Sequence, residues 1–141
     1  FVWDKSKTTL IEKQSFFNSS LVEQKILKIN PEMIILAGFL LKIPTTLIEA
    51  SFPIINIHPS LLPKYGGKGM YGNYVHAAVI ENKELFSGIT IHKVNRNYDE
   101  GEVIFQKKIR LEQNESITSL AKKINNLEMK YFPDVVARLI N

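Results

Sequence analysis

Ile54-Ile55-Asn56-Ile57-His58-Pro59 is a short β-prone run closed by a proline, and the fold is read outward from it. Side chains alternate along a strand, so Asn56 and His58 share one face while Ile55 and Ile57 take the other. Pro59 lacks the N–H that a ladder needs, so the strand ends at His58. Upstream, the continuous apolar run Met33 to Ala37 predicts a strand buried on both faces. Between the two, a short helix starts near Pro44, carries Leu47 and Ile48, and ends before Pro53.

Further upstream, Ser20-Leu21-Val22-Glu23 reads as a capping box in which each polar side chain satisfies an orphan N–H. Leu21, Ile26, Leu27 and Ile29 support a helix to about Lys28, and Asn30-Pro31 stops it. Phe1-Val2-Trp3 reads as the tail of a strand. Downstream, a Gly/Pro-rich segment from Pro59 to Gly72 precedes a helix from Asn73 to Asn82. Ser87 to Asn95 and Val103 to Leu111 alternate as strands do, joined by a turn at Asn97 to Gly101. Ile117, Leu120, Ala121, Ile124, Leu127, Tyr131, Val135 and Leu139 recur at helical spacing. Alternating strands and helices predict an α/β domain with a mainly parallel sheet and antiparallel strands near its C-terminal part.

The 141 residues suit one domain, and 45% hydrophobic residues supply its core. Cysteine is absent, which excludes disulfides, thiolate metal sites and cysteine nucleophiles in this sequence. No apolar run approaches the ~20 residues of a membrane-spanning helix, and no N-terminal stretch reads as a secretion signal. The expectation is a cytoplasmic domain that does not engage a membrane. Eighteen Lys and Arg against fourteen Asp and Glu give a net charge of +4. The basic residues are scattered, and Lys107-Lys108 and Lys122-Lys123 are the longest runs. That pattern predicts a solvated surface and no nucleic-acid partner.

The chemistry-bearing residues cluster around the opening motif. Asn56 and His58 have Cα atoms ~7 Å apart at the carboxyl end of a strand, where open α/β sheets bind ligands. An Asn amide can donate to an oxyanion and a His can exchange protons near neutral pH. Alternatively, the pair bonds loop backbone. Asp99, in Tyr98-Asp99-Glu100-Gly101, either orients His58 or makes an ordinary Asx-turn. Glu128 borders the apolar stripe of the last helix, so it either faces inward to a substrate group or lies on a solvated flank. The glycine-rich Lys64 to Gly72 loop departs from the phosphate-binding pattern and reads as a surface loop or lid. His76 and His92 read as surface or packing histidines, and no residues show metal-site spacing.

Taken together, the blocks Ile34-Ile35-Leu36-Ala37-Gly38-Phe39, Asn56-Ile57-His58-Pro59-Ser60-Leu61-Leu62-Pro63-Lys64-Tyr65, Gly88-Ile89-Thr90-Ile91-His92, Tyr98-Asp99-Glu100-Gly101, Glu128 and Tyr131-Phe132-Pro133 resemble the folate-dependent formyltransferases. Within that group the likeness is to those acting on glycinamide ribonucleotide in purine synthesis. The resemblance implies a Rossmann-like fold and formyl transfer from 10-formyltetrahydrofolate, a co-substrate, with no tightly bound cofactor and no metal. It implies that Asn56 stabilises the oxyanion, His58 shuttles protons and Asp99 holds or polarises His58. Leu40, Leu41, Lys42, Ile43, Asn95 and Tyr98 would line the pterin pocket, and Glu128 would bind the ribonucleotide sugar hydroxyls. The implied assembly is a monomer or homodimer. Leu41 stands where relatives often carry Arg, Lys93 replaces a bulkier side chain, and the Lys68 to Gly72 loop looks longer. No Gly-rich phosphate loop precedes Gly38, so residues 1–141 would form roughly the C-terminal two-thirds of the domain, without its first strand-helix-strand portion. Other readings within the resemblance are an inactive folate-binding fragment, a formyltetrahydrofolate hydrolase and a methionyl-tRNA formyltransferase.

Overall fold

A computed structural model describes residues 20–140, which divide into two units between Pro31 and Glu32. In the first, helix α1 (Ser20–Ile29) occupies the segment in which the sequence predicts a helix. Gln24 Nε2 donates to the Ser20 hydroxyl across one turn, at 3.1 Å. Asn30 ends the helix at a φ of 48°, a left-handed conformation that Asn tolerates, with its N–H on the Ile26 carbonyl. Phe1-Val2-Trp3, expected to be a strand tail, lies outside the described residues.

The second unit is an α/β layer built on a four-stranded sheet in the order β1-β2-β3-β4. Strand β1 (Ile34–Leu36) leads through the short helix α2 (Thr45–Ile48) to β2 (Ile54–His58). Helix α3 (Asn73–Glu81) follows, then the hairpin β3 (Phe86–Lys93) and β4 (Val103–Arg110), and finally the long helix α4 (Ile117–Ile140). β1 and β2 pair in parallel, whereas β2–β3 and β3–β4 are antiparallel. The antiparallel strands thus lie toward the C-terminal part as expected, and the parallel part among the described residues is the β1–β2 pairing. A short turn between β3 and β4 allows only the antiparallel arrangement.

One expectation needs correction. β1 is shorter than Met33–Ala37 and is not buried on both faces, because Ile35 is 42% exposed. Among the described residues β1 has a strand partner on one side only.

The core forms on the face predicted for Ile55 and Ile57. They join Ile89 and Ile91 of β3, Val75 and Val79 of α3, and Leu120, Ile124, Val135 and Val136 of α4. Each such side chain contributes about 1.5–3 kcal/mol by leaving water. The opposite face carries the polar residues in register: Asn56 sits across from His92, and His58 across from Thr90. Thr90 is fully buried, because the loop after β2 folds over it. Its hydroxyl donates to the Ser60 carbonyl (2.6 Å) and accepts from Leu62 N–H (3.0 Å) and Gln106 Nε2 (2.9 Å).

Candidate active site

Strand alternation and antiparallel register bring four polar side chains together at the carboxyl end of β2. The Lys93 carbonyl lies 2.8 Å from His92 Nδ1. A carbonyl only accepts, so Nδ1 carries the proton and, in the neutral ring, Nε2 accepts. The donor it accepts from is the Asn56 amide nitrogen, at 3.2 Å. This fixes the Asn56 amide and leaves its second N–H for another acceptor. The same reasoning applies to His58, whose Nε2–H donates to the Tyr65 carbonyl at 2.8 Å. His58 Nδ1 is then the bare nitrogen, and it faces Asp99 Oδ2 at 3.5 Å.

Asp99 is not spent on a local Asx-turn. It sits at a φ of 57° and its carboxylate accepts the Gly67 N–H at 2.8 Å. A left-handed Asp costs about 1–2 kcal/mol and marks a position set by its surroundings. Gly66 makes this approach possible, since a methyl group there would press on Leu62 and on the Asp99 side chain.

Burial dominates the titration of His58 and holds it below its ordinary value, against the pull of Asp99 and the Tyr65 bond, while His92 adds to the depression. The ring is therefore neutral at pH 7. Burial opposes the charge on Asp99, but His92, His58 and the Gly67 N–H together outweigh it and keep the carboxyl below the usual range. Of these, the Gly67 bond is the secure one. His92 Nε2 is 3.6 Å from Asp99 and already accepts from Asn56.

Two cavities meet at these groups. The larger, about 770 Å³, is walled by the Gly67–Gly72 loop, by His58 and His76, and by Asn125, Glu128 and Met129 of α4. The smaller, about 60 Å³, is lined by Leu41, Lys42, Ile43, Asn95 and Tyr98 along with His92. Asn56, Tyr98 and Asp99 line both. Leu40, grouped with the smaller set by resemblance, lines the larger cavity instead. Glu128 is half-buried with no ion-pair or hydrogen-bond partner among the described residues, and burial raises its pKa. The glycine-rich loop is anchored where Lys64 Nζ (2.7 Å) and the Tyr65 hydroxyl (3.0 Å) both donate to Glu84.

Three wall residues were not singled out as site residues by sequence reasoning. His92 is buried against Asn56, and the signal was available in the alternation of β3, which puts Thr90 and His92 on one face. His76 is also buried and lines the larger cavity. Asn125 stands almost one turn before Glu128 on α4, the spacing at which helical side chains share a face. Among the described residues, no group of His, Cys, Asp or Glu is arranged to hold a metal ion, and no helix is long and apolar enough to cross a membrane.

A family model described as formyl transferase matches residues 4–136. Over 114 residues the chain is 44% identical to the chloroplastic phosphoribosylglycinamide formyltransferase of Arabidopsis thaliana, covering 79% of this chain and 39% of that protein. It is 35% identical over 130 residues to phosphoribosylglycinamide formyltransferase of Bacillus subtilis, covering 92% of this chain and 64% of that protein. The crystal structure of phosphoribosylglycinamide formyltransferase from Bacillus halodurans superposes with a TM-score of 0.75 at 27% identity, over 86% of this chain and 60% of that one. The chain thus spans between 39% and 64% of the length of these two sequence relatives.

Proposed function

Because the chain belongs to the formyl transferase family, we propose that it carries the reacting groups for moving a formyl group from 10-formyltetrahydrofolate to the amine of glycinamide ribonucleotide. The observation that supports this reading is the meeting of two cavities at Asn56 and Asp99, beside His58. A two-substrate transfer needs such a junction. The relatives named above carry the same activity in their names.

In this reading the neutral amine attacks the formyl carbon, and the carbonyl oxygen becomes an oxyanion that accepts the free Asn56 N–H. His58 Nδ1, bare and neutral, takes a proton from the attacking nitrogen. Asp99, 3.5 Å away, stabilises the imidazolium that results. The proton then passes to the folate nitrogen as its bond to the formyl carbon breaks, which restores neutral His58. Leu41, Lys42, Ile43, Asn95 and Tyr98, around the smaller cavity, border the pterin; Leu40 borders the folate from the larger cavity, and Glu128 accepts hydrogen bonds from the ribose hydroxyls.

Calorimetric titration of a non-reactive folate analogue and of glycinamide ribonucleotide, each alone, tests the reading, followed by a transfer assay. Binding of both with formyl transfer is the expected result. Folate binding without ribonucleotide binding would reduce the chain to a folate-binding segment, and no folate binding would overturn the proposal.

A further inference from the structure

His76 has no place in the steps above, yet it is built into the wall of the larger cavity. It lies on α3 and is 4% exposed. Its Nδ1 is buried and has no hydrogen-bond partner among the described residues. Leaving a buried polar group unpaired costs about 1–3 kcal/mol, so a histidine kept only for packing is a poorer choice than phenylalanine. The other two buried histidines differ. His92 has a partner at each nitrogen, and His58 has one at Nε2 and a carboxylate facing Nδ1.

We propose, resting on the function above, that His76 is a positioning residue for the nucleophilic substrate, its imidazole hydrogen-bonding the N–H groups of the glycinamide head. Two observations select that substrate and that end of it. First, His76 lines only the larger cavity, which it shares with Glu128, whereas the smaller cavity holds Leu41, Lys42, Ile43 and Asn95. Second, His76 shares the wall of that cavity with His58, the ring proposed to carry the proton. The part of a substrate that reaches both rings is the part that reacts. Burial first, and then His58, keeps His76 neutral, the form that has a lone pair to accept an N–H.

His76→Phe and His76→Gln, made in this chain, test the inference by titration with glycinamide ribonucleotide and, separately, a non-reactive folate analogue. His76→Phe is expected to raise the ribonucleotide Kd about tenfold, the effect of losing one such bond, with folate-analogue affinity unchanged. His76→Gln restores most of the loss, and in turnover KM rises by a larger factor than kcat falls. A purely structural histidine predicts a Phe variant at least as stable as the parent that binds the ribonucleotide equally well. That result would overturn the inference and leave the proposed function standing. A parent chain that binds no ribonucleotide would overturn the proposed acceptor, and the inference with it. If His76→Phe does not fold, His76→Leu takes its place: ribonucleotide affinity equal to the parent's, or a change confined to the folate analogue, would overturn the assignment.

Discussion

The sheet side and the helix side of the larger cavity are furnished differently. On the sheet side Asn56, His58 and Asp99, with His92 behind Asn56, are constrained: each is held by a hydrogen bond at 3.2 Å or less. On the helix side, Glu128 and His76 face the same space, and among the described residues the carboxyl has no partner and Nδ1 none. A locked network costs little reorganisation when charge develops on a substrate. Unpaired groups on the other wall are sites whose partners arrive with the ligand. The difference separates groups that act on bond making from groups that select what is bound.

The contrast fails if substitutions on the two walls have the same kinetic signature. His58→Ala should lower kcat by about 10²–10⁴, the range for loss of a general acid–base, with the circular dichroism spectrum unchanged. Near-normal turnover would remove the sheet side from the chemistry. Glu128→Gln should act instead on ribonucleotide KM, by about tenfold, with folate affinity intact. A kcat loss as large as that of His58→Ala would erase the distinction. The smallest effect is on stability. His58 and His76 both titrate below their ordinary value of 6.5 in the folded chain, so the unfolded chain binds more protons as pH falls. Their stabilising contribution is present above 6.5 and is lost as pH drops from there through the folded values. Urea midpoints followed across that window should decline, and less steeply in His76→Phe. A flat profile would mean that burial does not restrain these rings.

Much of this arrangement is legible in the sequence, because β2 and α3 are set by local rules. Pro59 stops a strand and alternation puts Asn56 with His58, while Gly72 precedes the helix that starts at Asn73. Asp99 could be singled out from its turn, but its reach to Gly67, 32 residues earlier, could not. His92 reads as a surface or packing histidine for the same reason. Its importance lies in a register, Asn56 against His92, and pairing across 36 residues leaves no local trace. The exposure of Ile35 also runs against its apolar neighbours. A run such as Ile34-Ile35-Leu36 reports that the strand is apolar, not which of its faces is covered.

The bracing of the loop after β2 has a consequence for hydrogen exchange. Loop amides usually exchange through small local openings. Leu62 N–H, however, is bound to a fully buried Thr90 hydroxyl that also holds Ser60 and Gln106. Freeing that one amide requires the loop to lift off β3 and β4, breaking the bonds of Thr90 to Ser60 and of Gln106 to Leu62 as well. Leu62 N–H should therefore exchange more slowly than an ordinary loop amide, and it reports when the loop leaves the sheet, a few residues from the histidine proposed to carry the proton.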